Sequence, residues 1–200
     1  MAEPAPWLVV GLGNPAARYA HNRHNAGFMG LDALASHLEP APSWRSGFSG
    51  FHANVRVDSE RAVLLKPQTF MNRSGESVSA AMAFFRVPLS QLVVLHDELD
   101  FEFGRLAVKL GGGHGGNNGL RDIITRLGAR EFVRVRIGIG RPAHGDVTPW
   151  LLSDFSADER SRLQELLERA SQAATSIVTQ GIAVAMNRFN TSSSATTSSS

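Results

Sequence analysis

The chain has 200 residues, 42% hydrophobic and 19% charged, the balance of one ordinary globular domain long enough to bury a real core. It contains no cysteine, which excludes a disulfide scaffold, a thiol nucleophile and any Cys-ligated zinc or iron–sulfur site. Twenty basic against 18 acidic residues leave a net charge of +2, too small to announce a nucleic-acid partner by itself.

The N-terminus carries an acid and prolines where a secretory signal has positive charge. No stretch approaches the ~20 apolar residues of a membrane-spanning helix, so a cytoplasmic protein without membrane association is expected. Trp7 to Leu12 reads as a short buried strand ending in the turn Gly11-Leu-Gly-Asn-Pro15. A helix follows, with Phe28, Leu31, Leu34, Ala35 and Leu38 on one face, and Pro40 and Pro42 stop it. Gly50 to Val57 and Ala62 to Leu65 form a strand pair turned at Asp58-Ser59-Glu60. Val78, Ala81, Met82 and Phe85 mark a second amphipathic helix, closed by Val87-Pro88.

Leu92 to Leu95 is a continuous apolar run leading into His96 and Asp97, as in a strand buried on both faces. Leu106 to Leu110 is another strand, followed by a glycine tract. Leu120, Ile123, Ile124 and Leu127 repeat the helical spacing, with Gly128 as the residue after the helix end. Phe132 to Ile139 alternates as a strand with Arg134 and Arg136 on the opposite side. Ser156 and Glu159 form a capping-box signature before a long helix with Leu163, Leu166, Leu167, Ala170, Ile177 and Val178 inside. The Ser/Thr/Ala tail, 191–200, is expected to be disordered, leaving 1–190 as one domain. Alternating strands and helices without a repeat or linker predict an α/β fold, a single domain with a mixed twisted sheet flanked by helices.

Several stretches carry chemistry. Gly11-x-Gly13-x-x-Ala16 with Asp32 matches a permissive dinucleotide fingerprint, but Asp32 sits inside a helical repeat and Pro15 removes an amide that a pyrophosphate would use. His21 and His24 lie three apart beside Asn25, at the strand-end edge where α/β sheets gather ligands, with no metal-binding signature around them. In Pro67-Gln-Thr-Phe70-Met71-Asn72-Arg-Ser74-Gly75, Ser74 or Asn72 could cap a helix or serve a site. His96-Asp97-Glu98-Leu-Asp100 ends a buried strand with carboxylates that could hold a hard cation or orient a histidine. Gly111-Gly-Gly-His114-Gly-Gly-Asn117-Asn118-Gly119 lets backbone pass close to a ligand and opens a helix whose free amides suit an anion. From Phe103 to Arg141, eight basic residues face two acidic ones, so the charge is concentrated locally.

Together these stretches resemble the bacterial peptidyl-tRNA hydrolase family. The match takes in Val9-Val-Gly-Leu-Gly-Asn-Pro15, Tyr19, Arg23-His-Asn-Ala-Gly27, Lys66-Pro, Thr69-Phe-Met-Asn72 with Ser74-Gly75, and His96-Asp-Glu-Leu-Asp100. It continues through Lys109-x-Gly111-Gly-Gly-His-Gly-Gly, Asn118-Gly-Leu-Arg-Asp122, Arg136-Ile-Gly-Ile-Gly-Arg-Pro142 and Asn187-Arg188. Ala16 stands where many members have glycine, and Asn117 where many have histidine.

The resemblance implies a monomeric hydrolase of the peptidyl-tRNA ester that needs no metal, cofactor or protein partner. It implies His24 as base, Asp97 as its orienting carboxylate, Asn72 at the water or oxyanion, and Asn14 discriminating peptidyl from free aminoacyl substrate. Tyr19, Phe70, Met71, Asn72 and Asn118 are expected to line the cleft, with Lys109 and Arg136 clamping the tRNA 5′-phosphate. A non-catalytic RNA-binding protein on the same fold, and a dinucleotide-dependent oxidoreductase, are the competing readings.

Overall fold

The computed structural model describes residues 4–190; the tail expected to be disordered lies outside the described residues. The first strand, β1 (Trp7–Gly11), is an unbroken apolar run because both its faces are covered: Val9 joins one hydrophobic cluster, Leu8 and Val10 the other. Helix α1 (Ala26–Ser36) follows, then β2 (Arg45–Gly47), β3 (Gly50–Val57) and β4 (Glu60–Pro67) as an antiparallel meander. Helix α2 (Ser74–Phe85), β5 (Leu92–Glu98), β6 (Leu106–Leu110), α3 (Asn118–Leu127) and β7 (Val133–Gly138) come next. The short α4 (Val147–Leu151), the long α5 (Ala157–Gln180) and α6 (Ile182–Phe189) complete the described chain.

The strands form one sheet in the order β2-β3-β4-β1-β5-β7-β6. Its centre is parallel, with β1 paired to β4 and β5, and β5 to β7; the antiparallel pairs lie towards the two edges. Helices α1, α5 and α6 cover one face, burying Leu31, Leu34, Ala170, Ala173, Ile177 and Ala185 against Val9, Leu95 and Ile137. Helices α2 and α3 cover the other, burying Val78, Ala81, Leu120 and Ile123 against Val10, Val63 and Val94. The mixed, helix-flanked α/β sheet expected from the sequence is the fold. Among the described residues no helix is long and apolar enough to cross a membrane.

Glycines at the first strand–helix crossing serve packing rather than a dinucleotide. A Cβ on Gly11 would lie 2.5 Å from the Gly27 carbonyl oxygen, and one on Gly27 would lie 2.3 Å from that of Leu95. Helix α1 therefore rides directly on the β1 and β5 backbones. Asp32 projects from α1 to Lys66 Nζ at 2.7 Å, where it cannot serve as the ribose-binding acid at the end of a second strand.

Local signals placed most elements, with some corrections. Gly128 adopts φ 62° as the left-handed residue closing α3, and the Ser156–Glu159 capping box is formed in full. Neither Ser74 nor Asn72 caps α2: the position before the helix is Arg73, and the Asp122 carboxylate on α3 accepts from Gly75 N at 2.8 Å instead. Arg134 is buried (3% exposed), since its guanidinium turns inward to the Gly112 and Gly113 carbonyls. Strand β2, helix α4 and the break between α5 and α6 at Gly181 carried too little periodicity to be read.

Candidate active site

The parallel strands β1, β4 and β5 all end at one edge of the sheet, and the residues beyond those ends converge there. After β5 runs straight into His96-Asp97-Glu98, every residue of the strand is buried. Asp97 meets His24, which sits on a 3-10 turn (Arg23–Asn25) at the start of α1. His24 Nδ1 and Asp97 Oδ2 are 2.9 Å apart, and the two residues are only 6% and 4% exposed. Because an ionised carboxylate only accepts, Nδ1 carries the proton and Nε2 keeps its lone pair. Burial opposes a charged imidazole, but the charge of Asp97 and its hydrogen bond together outweigh it and raise the His24 pKa above the ordinary value.

The remaining acids of the strand end are separately engaged. Glu98 accepts from Arg136 Nε at 2.9 Å and from the Asp100 amide at 3.0 Å, while Asp100 pairs with Arg141 at 2.7 Å. Between a shared cation and an oriented histidine, the geometry is that of an oriented histidine. Among the described residues no three His, Cys, Asp or Glu side chains gather as a metal site.

Asn14 lies just beyond β1 and is held at three points. Its amide donates to Asn25 Oδ1 at 2.8 Å, its carbonyl accepts from Asn25 Nδ2 at 3.0 Å, and its Oδ1 accepts from Met71 N at 2.9 Å. A cleft of about 250 Å³ opens beside it, lined by Asn14, Asn25, Phe28, Lys66, Gln68 and Phe51 among others. Met71 is buried, whereas Asn72 on the same 3-10 turn is exposed, and its side chain bonds to no other described residue. Phe70 is exposed, Tyr19 is half-buried under the Arg18 guanidinium, and Asn118 is exposed at the first position of α3.

Lys109 and Arg136 lie on the antiparallel pair β6–β7, with Lys109 opposite Arg134 and Arg136 opposite Ala107. Alternation puts Lys109, Arg134 and Arg136 on the same face of that pair. Arg136 also stacks over Phe101, its guanidinium 4.2 Å from the ring centre. Burial and the neighbouring Arg136 lower the pKa of Arg134 to about 10, which leaves it charged at neutral pH.

Four residues outside the expected set, Arg23, Trp150, Glu159 and Asn117, turn out to hold the site. Arg23, 3% exposed, makes two 2.7 Å bonds to Glu159 and stacks 3.7 Å from the Trp150 ring centre, tying the His24 turn to α4 and α5. Asn117 donates to Asp97 Oδ1 at 3.0 Å. The Ser156–Glu159 spacing announced a cap, but nothing in it pointed to Arg23 in a segment far away in the chain.

The sequence profile of the family described as peptidyl-tRNA hydrolase matches residues 8–197. A peptidyl-tRNA hydrolase of Sorangium cellulosum is 51% identical over 187 residues, covering 92% of this chain and 83% of the relative. That of Citrifermentans bemidjiense is 49% identical over 183 residues, covering 92% and 97%. The crystal structure of the Acinetobacter baumannii peptidyl-tRNA hydrolase superposes with a TM-score of 0.87 at 35% identity, over 95% of this chain and 97% of that one. A whole-length profile, close relatives and a shared fold agree with the order of motifs: the chain belongs to the peptidyl-tRNA hydrolase family.

Proposed function

We propose that this chain hydrolyses the ester between the peptidyl group and tRNA in peptidyl-tRNA, freeing the tRNA for reuse in translation, by His24-assisted attack of water. The observation that carries the reading is the buried His24–Asp97 pair, linked to Asn14 through Asn25, the neighbour of His24 in the chain, which bonds Asn14 twice. His24 Nε2 takes a proton from water as the oxygen attacks the ester carbon, and the Asp97 carboxylate stabilises the imidazolium that forms. Asn72, exposed at the same edge, is free to donate to the water or to the developing oxyanion. His24 returns the proton to the departing ribose oxygen.

Asn14 supplies the discrimination. Its Oδ1 is engaged by Met71 N–H, so the group it turns to a ligand is the Nδ2 donor. A donor suits the carbonyl of an N-acylated substrate and meets only other donors on a free α-ammonium. Tyr19, Phe70, Met71 and Asn118 form the walls for the peptide and terminal adenosine, and Lys109 with Arg136 receives the 5′-phosphate. The protein acts as a cytoplasmic monomer without cofactor, metal or protein partner, which gel filtration and assays in EDTA test.

The deciding measurement is release of N-acetyl-amino acid from N-acetyl-aminoacyl-tRNA by the wild type and by His24→Ala, with EDTA present. Loss of general-base catalysis predicts a fall in turnover of about 10²–10⁴-fold with tRNA binding retained. Equal turnover by both proteins sinks the base assignment. Tight tRNA binding without turnover by either protein favours the RNA-binding reading.

A further inference from the structure

Asn117 is buried (8% exposed) between the N-terminus of α3 and the His24–Asp97 pair. Its Oδ1 accepts from Gly119 N at 3.0 Å and Leu120 N at 3.1 Å, capping the helix. Those backbone donors fix which end of the amide is oxygen, so the Nδ2 at 3.0 Å from Asp97 Oδ1 is unambiguously a donor. The Asp97 carboxylate is thereby divided: one oxygen takes Asn117, the other takes His24. Neither oxygen can leave its partner without the carboxylate turning.

We propose that Asn117 is a positioning residue for the hydrolysis: it locks the Asp97 carboxylate by one oxygen and shares its charge, and so sets both the orientation and the basicity of His24. The inference rests on the reading of His24 as base. An Asp97 relieved of that donor concentrates its negative charge on His24, favours the protonated imidazole and leaves less free base at neutral pH. It also gains a rotation that the buried pair lacks. The other charged or titratable groups around His24 are Arg23 on its own turn, His96 and Glu98 on β5, His114 on the glycine loop, and Arg134 on β7. None of them bonds to the Asp97 side chain, so its two oxygens are hydrogen-bonded to His24 and Asn117 alone among the described residues, while His96 feels its charge without a bond to the carboxylate.

Two substitutions separate the cap from the donor. Asn117→Asp and Asn117→Ser both keep an oxygen that can cap α3, and neither offers Asp97 the amide donor. In folded protein, checked by thermal melting, NMR titration of the His24 imidazole is expected to move upward in both, further in Asn117→Asp because a second carboxylate is added. Turnover at neutral pH should fall by about tenfold or more with KM changed less than about twofold, as for a group that does not itself touch substrate. If Asn117 only capped the helix, both cap-retaining variants would leave the titration and the turnover in place. A His24 titration unmoved in either variant, or kcat at the wild-type level in both, overturns the proposal. His24→Ala assayed alongside separates the two failures: if it retains turnover, the base reading falls and this inference with it. If it loses turnover while the Asn117 variants titrate as wild type, only the role of Asn117 falls.

Discussion

As the proposed base, His24 would serve stability and catalysis with opposite signs. Its folded-state pKa is raised, so its contribution to stability is complete below the unfolded value of about 6.5 and is lost as pH rises through the folded value. A base must be unprotonated, so kcat/KM should fall as pH drops through that same folded value. A pH profile of kcat/KM checks this, and a flat profile across the interval rules His24 out as the base. His96, beside it on β5, behaves in the reverse way. Burial is the largest influence on it and lowers its pKa, so it stays neutral in the fold and stability declines as acid protonates it in the unfolded chain. At this scale the sequence marked His24, Asp97 and Asn14 as candidates through the residues around them. It could not show that Asn14 Oδ1 is already occupied, because Met71 approaches it from another strand end.

The elements that hold these residues are tied at a few points where substitution should be felt. Arg23 and Glu159 are buried enough for removal of one partner to leave an uncompensated charge. Arg23→Ala is expected to destabilise the protein by about 3 kcal/mol in urea unfolding and to lower turnover, because Arg23 shares a turn with His24. Burial alone would raise the pKa of Glu159, but bonds from Arg23 and Ser156 bring it down to about 2. The stability this provides is present above the unfolded carboxylate value and is lost as pH falls towards 2.

The crossing of α1 over the sheet gives a second test. Gly27→Ala sets a Cβ 2.3 Å from the Leu95 carbonyl oxygen, a contact with backbone that cannot yield, and soluble folded protein should be lost. Gly113→Ala meets nothing within 4 Å and should change stability by less than about 0.5 kcal/mol, as thermal melting will show. Helix and strand periodicity predicted both elements of the crossing correctly. The reason for its glycines emerges only when α1 is laid against β5.

For the whole molecule, charge placement matters more than the net +2. Lys109, Arg134 and Arg136 share one face of the β6–β7 pair, and the proposed function assigns the phosphate to Lys109 and Arg136 there. Lys109→Ala and Arg136→Ala should each weaken tRNA binding and reduce the slope of log affinity against log salt by about 1. They should differ in stability. Lys109 is exposed, whereas removing Arg136 leaves the buried Glu98 without its cation, so only Arg136→Ala should lower the melting temperature. Unchanged salt slopes in both variants would place the phosphate contact elsewhere.

The amino-acid sequence by itself determined the repeating elements, the cap at Ser156, the turn at Gly128 and the family, since periodicity, capping and motif order are short-range properties written in neighbouring residues. Tertiary structure alone decided which Asp97 oxygen meets His24 and which meets Asn117. It also decided that Arg134 turns inward, that α2 borrows its cap from Asp122, and that Arg23 finds Glu159. Each of those contacts joins segments far apart in the chain, and their meeting depends on the order β4-β1-β5-β7 and on the helices packed across it.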